Sequence, residues 1–159
     1  MATPKFLTLD DLYITPFVAR RVYNEDGVMS WVPMERNENP TGVPVIDFIA
    51  RSMAEGRDLE WLAGQLGCSR EDLWGWYHTM TGMGPKEFRH AYMFRLADEL
   101  MRYTSLSFDE IARRSGFRCA SLLSQQYRKY RNMTPVEVRR SLRQPCDEDR
   151  YKPWEMKLK

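Results

Sequence analysis

The sequence of 159 residues has few of the side chains that enzyme centres, metal sites and disulfide frameworks require. It contains two histidines, His78 and His90, and three cysteines, Cys68, Cys119 and Cys146. An odd number of widely spaced cysteines is typical neither of a disulfide framework nor of a metal site. No Ser/His/Asp arrangement, paired carboxylate motif or glycine-rich phosphate loop stands out. We therefore expect no enzyme activity, no metal and no cofactor.

Long apolar runs are also missing. No stretch approaches the roughly 18 apolar residues of a membrane-spanning helix, and residues 1–5 do not resemble the start of a secretory signal. Widely spaced cysteines without a disulfide framework favour the cytoplasm, where thiols stay reduced. We expect a cytoplasmic protein without a membrane partner. With 43% hydrophobic residues and 20 Phe, Tyr and Trp (7, 8 and 5), the chain can bury a core.

Positive charge is concentrated in one stretch, although the net charge of the whole chain is only +2. Residues 105–143 carry nine Lys or Arg against three Asp or Glu, whereas residues 57–104 carry six against seven. Such local charge indicates an anionic partner such as nucleic acid. A solvated, arginine-rich helix face is the alternative that charge alone leaves open.

Prolines divide the beginning of the chain into short pieces. They stand at Pro4, Pro16, Pro33 and Pro40. Because this spacing excludes a long helix, we expect residues 1–42 to form a short irregular N-terminal arm with one or two short elements. From residue 43 the pattern becomes helical, with a predicted apolar stripe at Val45, Phe48, Ile49 and Met53.

An internal repeat dominates the rest of the chain. Leu62-Ala63 and Gly67 recur 49 residues later as Ile111-Ala112 and Gly116, and Met83-x-Pro85 recurs 50 residues later as Met133-x-Pro135. Each copy contains a polar N-cap, a small alanine, a glycine that ends the first helix, and an apolar stripe in the second. This pattern predicts two helix-turn-helix units, at about residues 58–81 and 107–131. Two ordinary helical hairpins of a bundle are the alternative.

The predicted caps and stripes of the two units can be named. The caps are Asp58, Ser69 with Asp72, and Ser107 with Glu110. The predicted stripe in the second helix of the second unit is Leu122, Leu123, Tyr127 and Tyr130. Between the units, residues 85–103 predict an unbroken linker helix of about 27 Å. Such a rod would hold two short helices near the roughly 34 Å spacing of successive major grooves.

These patterns predict an all-α fold, with two helix-turn-helix subdomains joined by a long linker helix. The domain extends over residues 43–143 and follows the short irregular arm. The tail, residues 144–159, has no strong pattern, and its Trp154 either packs back onto the domain or remains mobile.

The stretch from about Asp58 to Arg143 resembles the DNA-binding domain of the AraC/XylS family of bacterial transcription regulators. The matching residues are Leu62-Ala63, Gly67-Cys68-Ser69, Leu73, Tyr77, Thr81 to Phe88, Arg95-Leu96-Ala97, Ile111-Ala112, Gly116-Phe117, Ser121, Ser124, Tyr127 and Met133-Thr134-Pro135. The resemblance implies seven helices, from residues 43–55 to residues 135–142. It also implies binding to double-stranded DNA at promoters, usually with activation through contact with RNA polymerase.

Most members of that family carry a larger sensor or dimerisation domain, for which residues 1–42 are too short. The sequence therefore resembles the short members that bind as monomers, and we expect no small-molecule effector.

The second unit is the better equipped for DNA. Its candidate base-contacting residues are Arg118, Ser121, Ser124, Gln125 and Arg128. Its candidate phosphate-contacting residues are Arg113, Arg114, Lys129 and Arg131.

The first unit offers only Arg70, Glu71 and Trp74 as DNA-binding candidates. Glu71 repels phosphates, although it can accept a hydrogen bond from a cytosine amino group. Gly75 provides no side chain and weakens the helix. The alternative function is therefore a degenerate helix-turn-helix that binds a protein through Trp74, Trp76 and the acidic arm, with only weak or non-specific DNA binding.

Overall fold

The computed structural model describes residues 6–153 and contains both helices and strands. The helices are α1 (Leu9–Leu12), α2 (Pro44–Ala54), α3 (Leu59–Leu66), α4 (Arg70–Thr81), α5 (Pro85–Tyr103), α6 (Phe108–Ser115), α7 (Ala120–Arg131) and α8 (Pro135–Leu142). The strands are β1 (Phe17–Tyr23), β2 (Met29–Pro33) and β3 (Tyr151–Pro153). The seven helices from α2 to α8 confirm the predicted helix pattern.

The prediction of an all-α fold is wrong for the two ends of the chain. A three-stranded sheet with the order β2-β1-β3 is present, and β1 is antiparallel to both neighbours. The predicted irregular arm therefore contains a β-hairpin, and the tail supplies the third strand. The spacing of the prolines excludes a long helix but not these strands. Pro16 immediately precedes β1 and Pro33 is the last residue of the edge strand β2, positions at which a strand tolerates proline. Trp154 lies outside the described residues.

Contacts divide the chain into two units. The first contains residues up to 14 and residues 37–92, and the second contains residues 15–36 and those from 93 onward. The first unit thus holds α1 to α4 and the start of α5. The second holds the sheet, the rest of α5, and α6 to α8. The domain boundaries near residues 42 and 143 stay a prediction.

The first unit forms the expected helix-turn-helix elements. Asp58 caps α3 by accepting a hydrogen bond from the Trp61 amide at 2.7 Å, and Gly67 ends α3 with φ of 65°. Ser69 and Asp72 form the predicted capping box of α4. The core contains Leu62, Ala63, Leu73, Tyr77, Phe88 and Tyr92. This arrangement places the exposed face of α4 opposite Leu73 and Tyr77.

The buried stripe of α2 shares only Ile49 and Met53 with the predicted one, and Phe48 is half-buried. Ile46, Ile49, Ala50 and Met53 are buried, whereas Val45 is exposed. Val45 is the second residue of the helix, immediately after Pro44. Its position one residue before Ile46 turns it by about 100° around the axis, because a helix has about 3.6 residues per turn.

The second unit repeats the arrangement. Ser107 caps α6, and Gly116 ends it with φ of 98°, the left-handed conformation that glycine adopts without strain. The rings of Phe94, Phe117 and Tyr127 pack together at centroid distances of 4.9 to 6.5 Å. This aromatic cluster fixes α7 against α5.

Arg139 in α8 and Arg143, the residue that follows α8, cap the C-terminus of α5. Arg139 donates to the carbonyl oxygens of Met101 at 3.1 Å and Leu106 at 2.8 Å, and Arg143 donates to Met101 at 3.0 Å. The last carbonyls of a helix lack partners within the helix, and cations there are favoured by the helix dipole. The two guanidinium groups therefore join α8 to the end of α5.

The acidic part of the tail binds next to this point. Asp147 is buried and accepts a hydrogen bond from Arg102 Nε at 2.9 Å. Asp149 accepts from the backbone amide and the hydroxyl of Ser105, both at 2.9 Å. The tail thus attaches to the second unit through these carboxylates and through the pairing of β3 with β1.

Candidate nucleic-acid interface

The start of α7 is held by its neighbour α6. Cys119 occupies the N-cap position of α7 but makes no side-chain cap bond. Instead, Asp109 Oδ1 accepts a hydrogen bond from the Ala120 amide at 3.1 Å. Asp109 thus satisfies one of the unpaired amides of α7 and fixes the angle between the two helices. This contact could not be predicted from the sequence, because the pattern of α6 identifies caps only within a helix.

One face of α7 is buried and the opposite face is open. Leu123 and Tyr127 are fully buried, whereas Ser121, Gln125 and Arg128 are exposed. Positions i, i+4 and i+7 lie along one side of a helix. The structure therefore brings these three predicted base-contacting residues together on one exposed face.

The remaining base-contacting candidates lie at the margins of this face. Ser124 is half-buried. Arg118 is exposed in the turn before α7, with a left-handed φ of 77°. Leu122 and Tyr130, which the sequence predicted to be buried, are instead exposed at 37% and 56%. Leu122 is turned by about 100° from Leu123 around the helix axis. The buried residues of α7 are therefore only Leu123 and Tyr127.

Three of the four predicted phosphate-contacting cations bind carboxylates of the protein. Arg113 and Arg114 both pair with Glu110, and the Arg114 side chain is only 19% exposed. Arg131 Nη1 lies 2.9 Å from Asp98, and its guanidinium rests over the rings of Phe94 and Tyr127. Their phosphate contacts stay a prediction, since DNA would have to compete with these carboxylates.

Four cations of residues 105–143 remain open to solvent. Within the part of the chain that the structure describes, these cations are exposed and form no ion pair: Arg118, Arg128, Lys129 and Arg140. Lys129 Nζ lies 5.2 Å from the Tyr130 ring centroid. Arg140 is a further candidate and is not among the phosphate-contacting residues predicted from the sequence. Its exposure follows from the spacing of α8, in which the neighbouring Arg139 turns inward.

Asp98 anchors α7 from the side of α5. It accepts a hydrogen bond from the buried Tyr127 hydroxyl at 2.7 Å and pairs with Arg131. Burial and the adjacent Asp98 carboxylate both raise the pKa of Tyr127, so that its hydroxyl stays protonated and donates. No local sequence pattern indicates this pair, because its members are 29 residues apart.

The exposed face of α4 differs in chemistry from the exposed face of α7. Arg70 and Glu71 are exposed in its first turn, and Trp74 is 56% exposed with its ring 3.9 Å from the ring of His78. A groove of about 560 Å³ beside Trp74 is lined mainly by apolar atoms, and its lining includes Leu59, Leu73 and Pro85 and the charged residues Arg70, Glu71, Lys86 and Glu87. This face presents an aromatic surface, and its hydrogen-bonding groups are mainly those of the charged side chains.

Over residues 6–153, no group of three His, Cys, Asp or Glu side chains is arranged to hold a metal ion. In the same residues, no helix combines the length and the apolar character that crossing a membrane requires.

The fold of the helix-turn-helix region matches that of known proteins. A family described as "Helix-turn-helix domain" matches residues 62–141, just over half of the chain. No curated protein matches the sequence. Among solved structures, the DNA-binding domain of AdpA, solved in complex with a target DNA, has a TM-score of 0.55 at 25% identity, covering 62% of this chain and 91% of that one.

Two further structures share the fold. The C-terminal domain of the response regulator YesN from Fusobacterium nucleatum has a TM-score of 0.54 at 23% identity, covering 60% of this chain and 94% of that domain. The xylose-binding transcription activator XylR has a TM-score of 0.52 at 22% identity, covering 66% of this chain, which spans only 28% of XylR. The family match over half of the chain, with the likeness to AdpA, shows that the chain belongs to the AraC family of helix-turn-helix DNA-binding transcription regulators, which are not enzymes.

Proposed function

We propose that this chain regulates transcription by sequence-specific binding to double-stranded DNA, with α7 in the major groove. The exposed row of Ser121, Gln125 and Arg128 carries the proposal. Gln can form two hydrogen bonds to adenine and Arg two to guanine, while Ser bonds to bases or phosphates. The buried opposite face of α7 and the Asp109 cap hold this row in one orientation.

The cations around α7 supply the electrostatic part of binding. Each neutralised phosphate contributes about −0.9 to the slope of log K against log salt, so the four open cations give a slope of about −3.6. Replacing Arg118 or Arg128 with Ala should weaken binding by roughly 1–3 kcal/mol if the side chain contacts a base. Unchanged affinity of both variants would show that this face does not contact DNA.

We also propose contact with two adjacent major grooves, because the chain contains two helix-turn-helix units. The two exposed faces predict unequal sequence preference, since Trp74 offers far fewer hydrogen bonds than the α7 row. Selection from a randomised duplex library tests this. Gln125→Ala should relax preference at one or two positions, each by about 1–3 kcal/mol, and Trp74→Ala should change it little. Equal sequence preference under α4 and α7, or loss of sequence preference in Trp74→Ala, would contradict this unequal division of base contacts between the two helices.

We propose activation as the regulatory effect, as the family resemblance implies through contact with RNA polymerase. Transcription in vitro from a promoter carrying the selected site should rise when the purified protein is added. A fall in transcript would identify a repressor instead.

The groove beside Trp74 favours a second candidate, in which the first unit binds a protein. Exposed tryptophans are typical of protein interfaces. Titration of random duplex DNA at several salt concentrations separates the two functions. A chain that binds only a protein would show little affinity and no steep salt slope, whereas the DNA-binding function requires a steep slope.

A further inference from the structure

The open edge of β2 has a hydrogen-bonding pattern that the register of the hairpin determines. In antiparallel pairs, residues alternate between bonded and non-bonded positions. The Asn24 amide donates to Val28 O at 3.1 Å, and the Met34 amide donates to Val18 O at 2.8 Å. With the register from Ala19↔Pro33 to Tyr23↔Met29, the even-numbered residues of β2 therefore bond to β1. Met29 and Trp31 direct their N–H and C=O groups away from it.

Nothing in the described chain pairs with those groups. The sheet has the order β2-β1-β3, so that β2 has one neighbour among residues 6–153. The side chains at this edge are large, apolar and exposed: Met29 at 44% and Trp31 at 38%. Monomeric proteins protect such edges with charged residues, especially lysine. Here residues 27–34 contain no charge, in a chain with 29% charged residues.

We propose that the β2 edge is a docking surface for a second copy of this chain, with the two β2 strands pairing antiparallel about a two-fold axis at Ser30. In this register Met29 of each copy lies opposite Trp31 of the other. All four outward N–H groups of Met29 and Trp31 in the two copies then donate to the four outward C=O groups.

The ends of the strand match this register. Pro33 has no N–H to donate, and it lies opposite Gly27 of the second copy, where φ of +77° belongs to the turn. Pairing therefore ends where both strands end. Residues 27–34 bring no like charges together, and the acidic pairs that this register creates, Glu25 of each copy opposite Glu35 of the other, lie beyond the paired segment. An unrelated strand would need its own match in length and register.

The size of the surface sets the strength of the pairing. Stable complexes bury about 800 Å² per partner, and a five-residue edge strand with two large side chains falls below this. We therefore expect pairing at high protein concentration, and on DNA that holds two copies side by side. The pairing does not depend on the proposed function. Only its consequence does, namely preference for two-fold symmetric pairs of sites.

Disulfide trapping of the full chain tests the pairing directly. Ser30 would face its counterpart as a non-bonded pair with Cα atoms about 4.5 Å apart, within the range that a disulfide spans. The background is the chain with all three native cysteines replaced by Ser. Mild oxidation at about 50 µM protein should convert Ser30→Cys into a covalent dimer. The control is Arg20→Cys, exposed on the same face of the central strand β1, which should stay monomeric.

A backbone variant distinguishes edge pairing from random collision. Met29→Pro removes an outward N–H without removing a β1–β2 hydrogen bond, and Met29→Ala shortens the same side chain but keeps the N–H. In the Ser30→Cys background, cross-linking should fall about tenfold in the proline variant and at most about twofold in the alanine variant. Equal cross-linking of Ser30→Cys and Arg20→Cys, or of the Met29→Pro and Met29→Ala variants, would overturn the proposal.

Discussion

Two tyrosines at equivalent positions of the repeat have different hydroxyl environments. Tyr77 and Tyr127 are both fully buried. The Tyr127 hydroxyl donates to Asp98, whereas the Tyr77 hydroxyl has no hydrogen-bond partner among the described residues. Burial raises the pKa of Tyr77 to about 12, with Arg89 acting weakly in the opposite sense. The repeat thus conserves the ring between its two copies but not the polar contact.

Removing each hydroxyl should therefore have different effects on stability. Tyr127→Phe should lower the free energy of unfolding by about 1.5–3 kcal/mol, because it removes a hydrogen bond to a charged group. Tyr77→Phe should leave it unchanged or raise it by about 1 kcal/mol, because it removes a buried group without a partner. Urea denaturation followed by circular dichroism compares the two directly. A larger loss in Tyr77→Phe than in Tyr127→Phe would contradict the assignment.

Glu110 reduces the positive charge available at the second unit, because one carboxylate pairs with both Arg113 and Arg114. Glu110→Gln should therefore tighten binding to duplex DNA, by about 0.5–1 kcal/mol for exposed charges, and make its salt slope steeper. Glu137→Gln is the control, since Glu137 is exposed in the first turn of α8. Fluorescence anisotropy at several salt concentrations measures both. Equal slopes for Glu110→Gln and the unmodified protein would show that neither arginine reaches a phosphate.

At the scale of helices and strands, the sequence predicted what is local. Caps at Asp58, Ser69 and Ser107 and stops at Gly67 and Gly116 depend on residues within four positions, and all are present. The strands were not predictable in this way. β1 and β3 are more than 120 residues apart in the chain, and short apolar pieces between prolines carry little periodicity.

The candidate site was predictable to a similar extent. Helical spacing placed Ser121, Gln125 and Arg128 on one face of α7, as observed. It could not show which cations pair with distant carboxylates, as Arg131 does with Asp98. A count of nine cations therefore overstates the charge that α6, α7 and α8 present to DNA.

Adjacent arginines of α8 should separate stability from DNA binding. Arg139 supplies donors to the end of α5, and its pKa is lowered by burial and by the nearby Arg143. Arg139→Ala should lower the free energy of unfolding by about 1–3 kcal/mol, because it leaves carbonyls without donors. Arg140→Ala should leave stability unchanged and weaken DNA binding. Thermal unfolding measures the stability of the two variants, and fluorescence anisotropy measures their DNA binding. Equal unfolding temperatures would show that Arg139 does not cap α5.

At the scale of the molecule, elements beyond the helix-turn-helix region complete the second unit. The matched family region ends at residue 141, and the tail after it contributes both β3 and the buried carboxylate of Asp147. Burial alone would raise the pKa of Asp147, but hydrogen bonds from Arg102 and from the Gln144 amide outweigh it and lower the pKa below its usual 3.8. The tail is thus held in the second unit partly by the ionic contacts of Asp147.

Because this pKa is lowered, the stability of the protein depends on pH in the acid range. The unfolded chain takes up a proton at Asp147 near pH 3.8, while the folded chain stays ionised to lower pH, so the stabilisation is complete above that value and is lost as the pH falls through the folded pKa. Asp147→Asn should therefore lower the free energy of unfolding at pH 7 by about 1–3 kcal/mol. Its difference from the unmodified protein should shrink as the pH falls below about 4, the usual carboxyl range. Glu25→Gln, in the exposed turn between β1 and β2, should show neither effect. Urea unfolding at a series of pH values measures this, and a constant difference across that range would show that the Asp147 carboxylate does not stabilise the tail through its charge.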